Sequence, residues 1–179
     1  IPKEGPLDED LALQLIHGYY ACVSYTDAMV SRILDELERL DMRDETVIVL
    51  LGDHGWQLGE HGLWCKHCNF DTSLRAPLVI SAPGMARGER CDALVEFVDV
   101  FPTLCELAGL RQPEHLQGHS LVPLLENPQR DGKSAVFSRY QGGESVRTDR
   151  YLYTEWRDEQ GTARMLYDHH QDPQENVNI

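Results

Sequence analysis

The sequence predicts an α/β fold: part of a doubly wound sheet flanked by helices, then a small antiparallel β subdomain at the C-terminal end. Three observations carry this. Apolar residues recur at three- and four-residue intervals between Leu11 and Leu40, the period of an amphipathic helix. A β-branched run follows after a short polar turn, which gives one α-then-β unit. From Ser134 onward the apolar runs are short and broken by turn residues, which is the texture of consecutive antiparallel strands.

In chain order, Leu7-Asp8-Glu9-Asp10 places carboxylates at a helix start, where the positive end of the helix dipole favours them. Leu11, Leu15, Tyr19, Cys22, Thr26, Met29, Ile33, Leu37 and Leu40 then form one apolar face. Arg32, Asp35, Glu36, Glu38 and Arg39 fall largely outside it. Asp41-Met42-Arg43-Asp44 is a polar turn into a buried strand, Thr46-Val47-Ile48-Val49-Leu50. Residues 77–81 read as a second buried strand, ended by the Pro83-Gly84 turn. Residues 98–107 read as a helix closed by Gly109, with Pro102 tolerable only in its first turn. Residues 121–125 are a short apolar stretch closed by Asn127-Pro128. Strands are then expected at about 135–140, 145–148, 151–156 and 164–167. The expected division is 1–128 for the α/β part and 129–179 for the antiparallel part. The chain contains no internal repeat or low-complexity tract.

The chemistry concentrates just after the first strand. Gly52-Asp53-His54-Gly55 sets a carboxylate beside an imidazole in a loop at a strand's carboxyl end, where open α/β sheets bind their ligands. Gly52 and Gly55 are expected to let the backbone turn sharply there. A carboxylate oxygen and a neutral imidazole nitrogen are both common ligands of divalent cations. An isolated Asp-His would read as a turn former beside a partly buried histidine. The preceding strand and the continuation Gly59-Glu60-His61-Gly62-Leu63-Trp64-Cys65-Lys66 favour the metal pair. Lys66 then offers a cation to an anion and to charge developing on a leaving oxygen.

These residues resemble the sulfatases of the alkaline phosphatase superfamily, and within them the iduronate-2-sulfatase-like group. There Asp-His-Gly-Trp, Gly-Glu-His-Gly and Trp-x-Lys stand in this order. Arg75-Ala76-Pro77-Leu78-Val79-Ile80 with Ala82-Pro83-Gly84 is similar to the next family segment, as is Val98-Asp99-Val100-Phe101-Pro102-Thr103-Leu104 with Leu107-Ala108-Gly109. Gly118-His119-Ser120-Leu121, Pro123-Leu124-Leu125, Val146-Arg147-Thr148-Asp149-Arg150-Tyr151, Leu166-Tyr167-Asp168 and Asp172-Pro173 continue the resemblance in family order over nearly the whole chain.

The resemblance implies an intact protein that hydrolyses sulfate esters, on a sulfated sugar or glycosaminoglycan. A formylglycine hydrate would attack sulfur, and a divalent metal, calcium by resemblance, would polarise the sulfate oxygens. It assigns Asp53 and His54 as metal ligands and Lys66 as the sulfate or leaving-oxygen contact. His61 and His67 stay unassigned. His54 leaves room for another metal, since calcium prefers oxygen ligands. The family's Asp-Asp metal pair and its Cys/Ser-x-Pro/Ala-x-Arg nucleophile sequence are absent: no two aspartates are adjacent, and Ser81-Ala82-Pro83 fails because Met85 stands where arginine is required. The expectation is therefore a C-terminal portion whose nucleophile lies in an N-terminal portion, and which is inactive alone. Two other readings stay open. One is a phosphate or phosphonate ester hydrolase of the same superfamily, and the other a catalytically dead remnant that binds sulfated glycans.

Composition agrees with a globular piece. Of 179 residues 41% are hydrophobic, enough for a core, and no apolar run approaches the roughly 20 residues of a membrane span. A net charge of −14 argues against nucleic-acid partners. By resemblance the expected location is periplasmic, secreted or lysosome-like. Five cysteines show no disulfide framework. Cys65-Lys66-His67-Cys68 lacks the second, distant ligand pair that a structural zinc site draws on. Cys22 and Cys105 are expected to pack as small hydrophobes.

Overall fold

The computed structural model describes residues 7–179, so residues 1–6 of the first predicted segment lie outside the described residues. Helix α1 (Glu9–Arg39) opens at Asp8, whose Oδ1 accepts from the Leu11 N–H at 2.9 Å, with Glu9 and Asp10 in the first turn. Its apolar face is only half covered. Leu11, Leu15, Tyr19, Met29 and Leu37 are half-buried, Ile33 is exposed, and no residue of the helix is fully buried. Cys22 is exposed too, against the expectation that it packs as a small hydrophobe. No neighbour among the described residues covers that stretch of the helix. Cys105 is buried as expected.

Strand β1 (Ile48–Leu51) pairs antiparallel with β4 (Leu78–Ser81) in the register Ile48↔Ser81 to Leu51↔Leu78. Both were expected to be buried, and they are not. Leu50, Leu51 and Val79 are 43%, 45% and 56% exposed, because a two-stranded ribbon leaves its outer edges and one face uncovered. Between them lie the short antiparallel pair β2 (Gln57–Leu58) and β3 (Trp64–Cys65) and a single helical turn, α2 (Asp71–Leu74).

Helix α3 (Val100–Leu107) carries Pro102 in its first turn, where a missing N–H costs nothing. It ends at Gly109 (φ +64°), with Leu110 N–H returning to the Cys105 carbonyl at 2.8 Å, a left-handed C-terminal cap. Helix α4 (Val122–Glu126) packs on it. The hub here is Asp99, 0% exposed, which accepts from the backbone N–H of Glu96 and of His119, both at 2.8 Å, and from Lys133 Nζ at 2.8 Å. Burial pushes its carboxyl up, but the Lys133 and backbone hydrogen bonds together outweigh that and hold it below the ordinary range. Thr103 fastens the same corner. Its Oγ1 donates to the Asp99 carbonyl at 2.6 Å and accepts from Leu121 N–H at 2.8 Å.

Strands β5 (Ala135–Tyr140), β6 (Gly143–Thr148), β7 (Tyr151–Asp158) and β8 (Gly161–Asp168) form a four-stranded antiparallel meander. All four were expected, with β6 starting two residues earlier and β7 and β8 extending two to three residues further into their turns. Leu152, 1% exposed, and Tyr167 anchor its covered face. Gln141 (φ +45°) and Gly142 (φ +78°) make the two-residue turn between β5 and β6, both with the positive φ such a tight hairpin requires. Gly143 follows, and a Cβ there would lie 2.4 Å from Trp156 Nε1.

Candidate active site

Strand β1 delivers Asp53 and His54 into a loop that is stitched to the segment before β4. Gly52 N–H donates to the Pro77 carbonyl at 3.0 Å, Gly55 N–H to Ser73 at 2.8 Å and Trp56 N–H to Thr72 at 3.0 Å. The chain bends at Asp53-His54 as expected, though neither glycine has a positive φ. They permit close approach instead: a Cβ on Gly55 would sit 1.9 Å from the Thr72 carbonyl oxygen, and one on Gly52 3.0 Å from the Pro77 ring.

Within that loop His54 is fixed from two sides. Its Nδ1 lies 2.7 Å from the Gly55 carbonyl, and because a carbonyl only accepts, Nδ1 carries the proton. The other ring nitrogen, Nε2, stands 3.4 Å from Asp53 Oδ1. The ring also belongs to an aromatic column running from α1, with Tyr19 and Trp56 centroids 5.8 Å apart and Trp56 and His54 6.0 Å apart. The Asp53 side chain is 84% exposed and its only close partner among the described residues is His54. A metal fits this pair as part of a shell. A carboxylate oxygen and the imidazole nitrogen not engaged by the backbone converge, but no third His, Cys, Asp or Glu is grouped with them among the described residues.

Lys66 follows Cys65, a non-glycine residue held at φ +71°. It is exposed, and its ammonium makes no hydrogen bond or ion pair among the described residues. Cys68 Sγ lies 2.9 Å from Ser73 Oγ and 3.2 Å from the Nε2 of Gln57, a polar side chain buried beside it. His67 stacks on Tyr140 of the C-terminal sheet with centroids 5.6 Å apart.

His61 has a supporting role that its sequence position did not disclose. Its ring lies on Phe70 at 3.8 Å, and Nε2 donates to the carbonyls of Gln174 and Glu175 at 2.9 and 3.1 Å. Glu175, 3% exposed, accepts from the Asp71 N–H at 2.9 Å and pairs with His169 Nε2 at 2.7 Å. Burial pushes the Glu175 carboxyl up, and those two hydrogen bonds offset only part of the rise. The loop bearing Lys66 is thus clamped to the last residues of the chain. Glu175 and His169 were missed because their partners are 104 and 6 residues away, with no local pattern to link them.

The fold is shared with known proteins. The sulfatase family pattern matches residues 3–110, and the pattern described as N-sulphoglucosamine sulphohydrolase, C-terminal, matches residues 59–179. A sulfatase of Formosa agariphila is 34% identical over 166 residues, covering 92% of this chain and 32% of its own length. The iduronate 2-sulfatase of Homo sapiens is 37% identical over 134 residues, covering 61% of this chain and 24% of its own. Among solved structures, a complex with the substrate D-glucosamine-2-N,6-O-disulfate superposes with a TM-score of 0.81 at 30% identity, over 88% of this chain and 34% of that one. The phosphonate monoester hydrolase of Agrobacterium radiobacter gives 0.78 at 29% identity, over 90% and 36%. The chain spans about a third of the length of the curated relatives it matches.

Proposed function

This chain belongs to the sulfatase family, and from that premise we propose that the intact protein hydrolyses sulfate esters of a sulfated sugar or glycosaminoglycan. The single observation that supports the reading is the orientation of His54. With Nδ1–H committed to the Gly55 carbonyl, Nε2 is the nitrogen turned toward the Asp53 carboxylate at the carboxyl end of β1. In this reading the two side chains act as a ligand pair.

Asp53 and His54 would hold a divalent metal, calcium by family likeness, together with ligands from an N-terminal portion of the protein. When bound, the metal supplies positive charge against the sulfate oxygens. Lys66 binds the sulfate and stabilises the charge on the departing sugar oxygen, a role its uncommitted ammonium suits. The nucleophile, formylglycine in this reading, also belongs to the N-terminal portion, and the chain alone has no turnover. The His61 and Glu175 clamp keeps the Lys66 loop in place. The division at residue 128 belongs to the same proposal, with the antiparallel sheet closing one side of the site.

The test is sulfate release by the full-length protein from 4-nitrophenyl sulfate and from sulfated mono- and disaccharides. Release that disappears in Asp53→Ala supports the reading, and no release from any of them overturns it. A second reading, phosphonate or phosphate monoester hydrolysis, draws on the likeness to the phosphonate monoester hydrolase. It wins if a phenyl phosphonate monoester is hydrolysed faster than the sulfate under the same conditions.

A further inference from the structure

Cys65-Lys66-His67-Cys68 sets two free, half-buried thiols on either side of Lys66. The segment turns back on itself, with Cys68 N–H donating to the Lys66 carbonyl at 3.1 Å, so the two cysteines stand at the ends of one tight bend. Gln57 links them. It stands opposite Cys65 in the β2–β3 pair, and its Nε2 donates to Cys68 Sγ at 3.2 Å. The same sulfur lies 2.9 Å from Ser73 Oγ.

Cys68 also belongs to the wall of a cleft of about 370 Å³ between this loop and the C-terminal sheet, together with Asn69, Tyr140 and Trp156. Unpaired acceptors collect around it. Asn69, 4% exposed, donates through Nδ2 to the Gly143 carbonyl at 3.1 Å and to Ser145 Oγ at 3.3 Å, while its Oδ1 receives no donor among the described residues. Gln57, 1% exposed, leaves Oε1 in the same condition, on the amide that touches the sulfur. Buried acceptors without donors cost stability, so this corner suits a ligand that brings N–H groups. Lys66, exposed and without an ion pair among the described residues, adds a cation one residue from the cleft. A small peptidic thiol answers both needs, since it carries an amide N–H three bonds from its sulfur and free carboxylates.

We propose that Cys68 is a thiol-modification site for a low-molecular-weight peptidic disulfide of the glutathione type, and that Cys65 resolves the adduct into a Cys65–Cys68 bridge across Lys66. The Cys68 thiolate attacks one sulfur of the incoming disulfide, which forms a mixed disulfide and expels one glutathione thiolate. The Cys65 thiolate then attacks Cys68 Sγ and expels the second. Two protein thiols are oxidised, one small disulfide is reduced to two thiols, and the two cysteine protons end on the two glutathiones. The bridge draws Cys68 Sγ away from Ser73 and Gln57 and fixes both ends of the bend that carries Lys66. A misplacement of about 1 Å in a catalytic site costs on the order of a hundredfold in rate, so the reduced pair is the active form. That last step rests on the sulfate-ester reading above, but the thiol chemistry does not.

The test is exposure of the full-length protein to glutathione disulfide, followed by acid quenching, alkylation and mass mapping of the peptide that holds residues 65–68. In the wild type both thiols of that peptide should become closed to alkylation with no glutathione retained, and dithiothreitol should reopen them. Cys65→Ser should instead retain one glutathione on Cys68, and Cys68→Ser should react at Cys65 about tenfold more slowly. A wild-type peptide whose two thiols stay open to alkylation overturns the proposal without recourse to any variant. So does an unchanged rate in Cys68→Ser. Sulfate release by the bridged protein should fall up to about a hundredfold and return with dithiothreitol. Full release by the bridged protein would overturn the link to Lys66. Bridging in a protein that releases no sulfate even when reduced would sink the sulfatase reading and leave the thiol site standing.

Discussion

Lys133 reaches back 34 residues to put its ammonium 2.8 Å from the fully buried carboxylate of Asp99, and the same nitrogen holds Glu96 at 2.6 Å. This contact joins the approach to the antiparallel sheet to the start of α3. The Lys133 ammonium is held above its ordinary range: burial lowers it, and the Asp99 and Glu96 hydrogen bonds more than offset that.

Lys133→Met should therefore destabilise the protein by roughly 3 kcal/mol, the low end for a buried pair that loses one partner, since the Lys133 side chain is 22% exposed. Asp99 would keep only its two backbone donors. Urea unfolding of the full-length protein reads this as a lower midpoint at unchanged slope, and an unshifted midpoint would make the pair a bystander.

Asp53→Ala should remove most bound divalent metal and nearly all activity from the full-length protein. The side chain is 84% exposed, so the change should alter folding stability by no more than about 0.5 kcal/mol. Metal analysis at full stoichiometry in the variant would refute the ligand assignment.

Lys66→Ala should lower kcat/KM on the order of a hundredfold while metal content stays at the wild-type level, because its ammonium interacts more strongly with the transition state than with the ground-state ester. Steady-state kinetics alongside metal analysis separates the two effects. An unchanged rate would return Lys66 to the solvated surface.

Glu175 gives a pH signature. Its folded-state pKa is raised by burial, so the folded chain holds the proton more tightly than the unfolded one. The resulting stabilisation is complete below the ordinary glutamate range, about pH 4.3, and is lost as pH rises through the raised folded value. Relative to Glu175→Gln, the wild type should lose stability as pH increases across that window. Melting temperatures of both proteins from pH 4 to 7 check this, and parallel curves would contradict it.

Much of this was legible because it is local. The 3.6-residue period of α1, the Pro102 and Gly109 limits of α3 and the turn residues between the C-terminal strands are each set by neighbours in sequence. Asp53, His54 and Lys66 stood out because three residue types with metal or anion chemistry follow one strand. What sequence could not disclose depends on distant partners: Glu175 under Asp71, Lys133 under Asp99, and His67 against Tyr140. The burial of β1 and β4 was overestimated for the same reason, since a β-branched run reports an apolar strand but not what covers it.

The absent side chain at Gly143 also bears on how the sheet could misassemble. Gly143 stands opposite Tyr140 on one side and Trp156 on the other, and a Cβ there would overlap the indole. If β6 slipped by one position, Glu144 or Gly142 would face Trp156, and every side chain on the strand would change sides. The first alternative collides with the ring, and the second breaks the Gln141-Gly142 turn. An indole and the hydrogen atom facing it thus act as a ratchet stop that leaves the meander one alignment.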